Sequence, residues 1–379
     1  MTSRSTFPLA LLLALAPGLA AGQDYVPLVP NPDRVVEGVR FDDIFQVVRP
    51  DGTIQEFGRC GAPRPEPGIE VLGPLSPTGG STADCDGSSD ATAIGGAPPT
   101  IYDPEHPDAQ NYLIDVWVHV LRNTPGTEGD IPVAELYEQV AILNEDLRAI
   151  PGSYGDAGAD GRLFFRLKGF DFSNNTLWFN DLGSYYNSLI QTNDPDHNPL
   201  YVVNVYTNTA SGNLGYVPFL PHESPGSIGD KSDRIVIEWQ SFGRQWNSFW
   251  QDQYDLGRTL THELGHYLGL PHTFEGGCAS GASPACFSNG DLICDTPPEQ
   301  TSTSGCPAGK DTCGGIGPDP IHNYLDYSFD LCMDQFTLQQ MRRIRCTIEH
   351  YRSGLFQPVL FYEDFETGNT DAWDTVVAP

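Results

Sequence analysis

The residues best equipped for chemistry lie in one short run, His262-Glu263-Leu264-Gly265-His266-Tyr267-Leu268-Gly269-Leu270-Pro271-His272. On a helix, His262 and His266 fall one turn apart on the same face, so two neutral imidazoles can reach one metal ion. Glu263 sits beside the first, where a carboxylate can hold and deprotonate a metal-activated water. Gly269 tolerates positive φ, ends the helix and turns the chain, which lets His272 return as a third ligand. Three protein ligands leave one coordination position open, the arrangement of catalytic rather than structural zinc. A bare His-x-x-x-His arises often by chance. The full string, with its glutamate, glycine and third histidine, is far more restrictive.

That helix needs a scaffold. Asp255 is the expected N-cap, and Leu256, Leu260, Leu264 and Leu268 recur every four residues as a buried stripe, leaving the histidines to face a cleft. Residues 112–121 read as a buried strand, in which His119 is a core or edge histidine rather than a ligand. Residues 130–148 read as a helix with Asp130 and Pro132 near its start and Leu136, Val140, Leu143 and Leu147 on one face. Further strands are expected at 163–167, 201–206 and 234–238. Beyond His272 the chain is irregular and rich in Gly, Cys, Asp and Pro until a last helix over 337–349. The order predicts an α/β (α+β) domain, with an upper twisted sheet, the histidine helix below it and an irregular lower part closed by the final helix.

The composition bounds the rest. Of 379 residues, 50 are Asp or Glu and 20 are Lys or Arg, a formal net charge of −30 that disfavours nucleic acid and anionic membrane as partners. An acidic surface suits calcium, basic peptide substrates or a salty medium, and charge alone does not choose among them. Arg4, an apolar run over 7–19 and small residues up to Gly22 read as a signal peptide, so an exported protein with no membrane anchor in its mature form is expected. The competing reading is an N-terminal tether. Nine cysteines fit an oxidising compartment, and an odd number leaves at least one thiol for another role. Residues 61–99 are rich in Pro, Gly, Ser and Ala and read as a linker. The expected layout is a signal peptide over 1–22, a prosegment with linker over 23–84, a catalytic domain over 85–357 and a tail over 358–379.

With the zinc string in place, residues 111–349 resemble the metzincin metalloproteases and, within them, the pappalysin family. The resemblance is carried by Tyr254-Asp255-Leu256-Gly257-Arg258-Thr259-Leu260-Thr261 before the zinc string and His272-Thr273-Phe274-Glu275-Gly276-Gly277-Cys278 at its end. Gly305-Cys306-Pro307, Asp311-Thr312-Cys313 and Asn323-Tyr324-Leu325-Asp326-Tyr327-Ser328, running into Cys332-Met333, add to it. It implies a Met-turn whose Met333 forms an apolar floor under the metal, and disulfides Cys278–Cys313 and Cys306–Cys332. Some metzincins carry a tyrosine two residues beyond that methionine; here the position is Gln335, so no tyrosine is assigned to catalysis and Tyr327 reads as structural. Asp291, Asp295 and Thr296, with Glu275 as a further contributor, resemble a calcium-binding loop of some members; solvated turn aspartates are the competing reading.

Arg59-Cys60-Gly61 resembles the cysteine switch of latent metzincins, in which a thiolate takes the open zinc position and excludes water. An ordinary disulfide cysteine is the alternative. Seven cysteines lie beyond residue 111 and cannot all pair, so Cys85 is expected to join them and leave Cys60 free, which places the activating cut between Cys60 and Cys85. The pairing of Cys85, Cys286, Cys294 and Cys346 stays open. Residues 361–373 resemble a tail of exported bacterial proteins, or form a plain disordered end.

The leading functional reading is a secreted zinc endopeptidase, made latent and acting on protein or peptide substrates. A non-catalytic zinc-containing adhesion or binding protein competes with it, but would need neither Glu263 nor an inhibitory Cys60. A zinc amidase or esterase for small molecules is the third reading. The family resemblance and the acidic charge point to cleavage next to basic residues.

Overall fold

The computed structural model describes strand segments between residues 25 and 48, residues 54–62, and residues 102–359 apart from 191–192, 248, 251–252, 280–289 and 315–316. The expected signal peptide, most of the linker with Cys85, Cys286 and the tail beyond 359 lie outside the described residues.

Strand β6 (Asn111–Arg122) is the spine. Its Ile114, Val116, Val118 and Val120 line one face and are at most 1% exposed, while His119 and Leu121 on the other face are equally buried. A strand covered on both faces reads as a near-continuous apolar run, which is how 112–121 appears in the sequence. Before it come β1 (Tyr25–Pro27), β2 (Val35–Val36), β3 (Val39–Arg40), β4 (Ile44–Val48) and β5 (Ile54–Cys60). After it come β7 (Leu163–Asn174), β8 (Val203–Asn208), β9 (Asn213–Tyr216), β10 (Ile235–Glu238) and β11 (Phe356–Val359). Nine strands form one sheet in the order β1-β4-β5-β9-β10-β8-β6-β11, with β7 on the other edge of β6; β2 and β3 pair separately. β7, β6, β8 and β10 run parallel, and β9 is antiparallel to β10. β5 then adds in parallel to β9, with Cys60 opposite Gly215. This strand was not expected, and it brings residues upstream of the linker to the edge of the sheet.

Helix α1 (Val133–Arg148) buries Leu136, Val140, Leu143 and Leu147 against β7 and the histidine helix, matching its apolar stripe. Two short helices follow, α2 (Thr176–Phe179) and α3 (Tyr185–Leu189). Helix α4 (Arg258–Tyr267) lies under β9 and β10. Leu256, Leu260, Leu264 and Leu268 are all buried, as their spacing requires. Its start differs from expectation. The N-cap is Gly257 in the left-handed region at φ +79°, not Asp255, and the first amides are met from elsewhere: Asp330 Oδ2 accepts from the N–H of Leu256 at 3.0 Å and of Arg258 at 3.2 Å. Helix α5 (Leu338–Tyr351) closes the lower part and begins with a capping box of Thr337 and Gln340. Sheet, α1, α4, the Met333 segment and α5 share one apolar core. No helix among the described residues is long and apolar enough to cross a membrane.

Candidate active site

The centre is built from α4 and the turn after it. Gly269 sits at φ +94°, and a Cβ there would lie 2.6 Å from Thr347 Oγ1, so both the backbone and the space demand glycine. The turn folds the chain back: the Leu270 N–H donates to Gly265 O at 3.0 Å, and His272 arrives beside the two helical histidines. His266 Nε2 lies 3.1 Å from His262 Nε2 and 3.0 Å from His272 Nε2. All three rings are buried.

The tautomers follow from the partners. His262 Nδ1 donates to Tyr324 O at 2.6 Å and His266 Nδ1 donates to Leu270 O at 2.7 Å, since a carbonyl can only accept. That leaves both Nε2 lone pairs aimed inward, the second-sphere pattern of metal-ligating histidine. Nitrogens on a tetrahedral zinc, at bonds of about 2.0–2.1 Å, stand roughly 3.3 Å apart. The donor set therefore fits such an ion. Burial, the neighbouring His266 and the Arg59 charge hold His262 well below the usual histidine range, so protonation does not explain the cluster.

Glu263 is fully buried beside the rings. Neither oxygen of its carboxylate has a hydrogen-bond partner among the described residues, and the Cys60 thiol lies close by. Burial pushes its carboxyl up to about 8, against the opposing pulls of that thiol and of Arg59. A Cβ on Gly215 of β9 would fall 2.6 Å from Glu263 Cγ, so the sheet edge passes directly over this carboxylate.

Cys60 ends β5 at the same spot. Its Sγ and one nitrogen from each of His262, His266 and His272 all lie within 4.8 Å of one another, and this is the one such group of potential ligands among the described residues. The Ala62 N–H donates to Cys60 Sγ at 3.3 Å, and the Gly61 N–H donates to Gly215 O at 2.9 Å. Burial and then Glu263 push the thiol well above its ordinary range. Arg59 anchors the approach: its guanidinium donates to Thr259 Oγ1 at 3.3 Å and to Met333 Sδ at 3.6 Å, lies 3.8 Å from Asp330 Oδ1 and covers the Tyr254 ring at 4.7 Å.

Met333 is buried against the same core. Tyr327 packs its ring 5.0 Å from that of His272 and 5.7 Å from that of His262, and Phe274 stacks on His272 at 4.7 Å. The Gln335 backbone holds the turn, its O accepting from the Tyr324 N–H at 3.1 Å. Disulfides Cys278–Cys313 and Cys306–Cys332 tie the lower loops together, with Cα–Cα distances of 5.3 and 5.9 Å. Cys294 and Cys346 are also disulfide-bonded, and Cys60 is the free cysteine among the described residues.

The Asp291 loop is held by protein donors. Asp291 accepts from Ile293 N–H at 3.1 Å and Thr296 Oγ1 at 2.6 Å; Asp295 accepts from Thr337 Oγ1 at 2.6 Å and Gln339 N–H at 2.9 Å, at the start of α5. His119 sits in the sheet, Nδ1 at 2.7 Å from Asp171 Oδ2 and Nε2 at 3.0 Å from Asn204 Oδ1, away from the centre. Sequence reasoning missed Asp146, which accepts from Thr261 Oγ1 at 2.6 Å and Tyr324 OH at 2.8 Å and pairs with Arg258 at 3.1 Å. This buried carboxylate locks α1, α4 and the segment that orients His262. Its only sequence signal was an aspartate on the apolar side of a helix.

Comparisons with known proteins agree with this centre. The family model for pregnancy-associated plasma protein-A, peptidase M43, matches residues 191–349. Extracellular metalloprotease 1 of Coccidioides posadasii is 34% identical over 243 residues, 64% of this chain and 78% of that protein. An extracellular metalloprotease of Arthroderma otae is 33% identical over 282 residues, 69% of this chain and 91% of that protein. Among solved structures, promirolysin of Tannerella forsythia superposes with a TM-score of 0.53 at 26% identity, over 67% of this chain and 85% of that one. Mature mirolysin of the same organism, in complex with a cleaved peptide, gives 0.51 at 27% identity, over 66% of this chain and all of that one. The sheet over a histidine-bearing helix is thus that of a metzincin metalloendopeptidase. The chain belongs to the peptidase M43 (pappalysin) family.

Proposed function

We propose that this chain is a secreted, zinc-dependent endopeptidase made as a latent precursor. In this reading His262, His266 and His272 hold zinc, Cys60 supplies a fourth ligand while the prosegment is attached, and Glu263 is the general base. The observation that carries it is the convergence of Cys60 and the three histidines within 4.8 Å, with the Glu263 carboxylate alongside. When bound, zinc supplies a Lewis acid that polarises a scissile carbonyl and acidifies water. Glu263 would take a proton from the attacking water and pass it to the departing amine. Gly215 lets the β9 backbone come close enough to present an extended peptide beside that carboxylate.

Latency has two supports in the same strand. Cys60 faces the histidines, its thiol pushed well above its ordinary range by burial, and β5 pairs with the β9 edge that a peptide substrate would use. Met333 lies under the centre as an apolar floor. A cut in the linker between Cys60 and Cys85 would release this strand, dividing a signal peptide at 1–22 and a prosegment at 23–84 from a catalytic domain at 85–357 and a tail at 358–379. Secretion is supported by the expected signal peptide and by relatives named extracellular metalloproteases. Peptide substrates are supported by the cleaved peptide held by mature mirolysin. The mechanism uses one metal ion; a calcium requirement at Asp291, Asp295 and Thr296 is checked by titration against EGTA.

The experiment is metal analysis paired with a proteome-derived peptide library. The processed protein should carry one zinc and cut internal peptide bonds, and the His272→Ala variant should lose both. Full zinc with no cleavage of any library peptide would favour the binding-protein reading.

A further inference from the structure

Lys310 lies between Cys306 and Cys313, in a loop tied by its two disulfides to Cys332 and Cys278. Its Nζ is surrounded by oxygen: Glu299 Oε1 at 2.7 Å, Thr301 O at 2.6 Å, Ser302 O at 3.0 Å, Thr303 Oγ1 at 2.9 Å and Asp319 Oδ2 at 3.1 Å. An ammonium has three protons, so these five oxygens exceed what directed hydrogen bonds can use. Two carboxylates, a hydroxyl and two backbone carbonyls are instead the donor set that coordinates a hard cation. The carboxylates of Glu299 and Asp319 are fully buried, and the Thr303 N–H and Asp326 Oδ1, 2.9 Å apart, place a third buried carboxylate behind the cage.

The cage is wired to the zinc ligands. Glu299 shares its carboxylate between Lys310 on Oε1 and Thr273 Oγ1, which donates to Oε2 at 3.1 Å. Thr273 follows His272 in the chain, and its N–H donates to Leu325 O at 3.3 Å, next to the Tyr324 carbonyl that orients His262. Glu299 therefore braces the segment that delivers the third imidazole, and without a cation beside it three buried carboxylates would face one another. Such a cluster drives itself apart or protonates.

We propose that the Lys310 ammonium is a built-in cation, filling an oxygen cage suited to a divalent ion and so acting as a positioning residue for His272. The cage of this chain needs no added metal because a side chain closes it. Removing that side chain uncovers a calcium site where none was needed.

The test compares full-length wild-type and Lys310→Ala protein in EGTA and in millimolar calcium, by thermal unfolding and by the rate of zinc loss to a chelator. In EGTA the variant should unfold about 5–10 °C lower, as expected for breaking a buried ion pair. It should also lose zinc at least ~10-fold faster, about 1.4 kcal/mol. Calcium should close both gaps, and sodium chloride of equal ionic strength should not. Equal unfolding temperatures in EGTA, or a gap that calcium leaves unchanged, overturns the proposal. Should the alanine variant fail to fold in EGTA, Lys310→Ser, which leaves the cage open, takes its place, and a serine variant that calcium does not restore overturns it too. The zinc-loss arm rests on the zinc site proposed above and the thermal arm does not, so the two failures are distinguishable.

Discussion

Gly215 and Glu263 are in direct opposition: a Cβ on the strand residue would sit 2.6 Å from the Cγ and 2.9 Å from the Oε1 of the buried carboxylate. The strand edge and the carboxylate proposed as general base are thus set by one contact, and it admits only glycine. Gly215→Ala should leave zinc content unchanged and reduce kcat by about 10–100-fold, the usual result of displacing a catalytic group by a fraction of an ångström. Steady-state kinetics on the processed enzyme check this; an alanine variant with wild-type kcat removes the contact from the mechanism.

Glu263→Gln keeps the size of the side chain and removes the carboxylate proposed as the base. Hydrolysis should fall by about 10²–10⁴ with zinc retained. The comparison of turnover with metal content decides it, and near-normal turnover would transfer the proton-accepting role to another group.

Asp146 holds Arg258, Thr261 and Tyr324 in one buried cluster. Asp146→Asn strands the Arg258 charge and should destabilise the domain by about 3–5 kcal/mol. Tyr324→Phe loses one buried hydrogen bond and should lose about 1–2 kcal/mol. Urea midpoints of the two variants provide the check, and equal, small losses would show that the cluster does not brace α4.

Burial holds the Asp291 carboxyl up at about 7, well above the ordinary carboxylate value. A group raised in the folded state contributes stability in acid that is lost as pH rises through its folded pKa. In EGTA, stability should therefore decline from about pH 4 to pH 8 at this residue, and Asp291→Asn should flatten that decline. Urea unfolding at pH 5 and pH 8 measures it. Parallel behaviour of the two proteins would mean that Asp291 stays ionised throughout and that burial does not raise it as described.

Much of this centre was legible because it is local. The His262, His266 and His272 spacing, the leucine stripe of α4, the turn at Gly269 and the Val-rich run of β6 each express a short-range rule. The Cys278–Cys313 and Cys306–Cys332 pairs came only with the family resemblance. What stayed hidden depends on partners far along the chain. Asp255 looks like a cap by position, yet Asp330, more than seventy residues on, meets the first amide of α4 and that of Leu256 just before it. Strand β5 has no apolar alternation strong enough to announce it, and it exists because β9 offers a free edge. The Lys310 cage gathers oxygens from loops with no periodicity at all.

The central claim is that one zinc ion sits among three histidines and Cys60 in the precursor, and that processing removes the sulfur. X-ray absorption at the zinc edge reads this directly, since Zn–S bonds of about 2.3 Å separate cleanly from Zn–N bonds of about 2.0–2.1 Å. The precursor should show three nitrogens and one sulfur, and the processed enzyme the same nitrogens with an oxygen in place of sulfur. A precursor shell without sulfur, or a sulfur that persists in the fully active enzyme, would contradict the account.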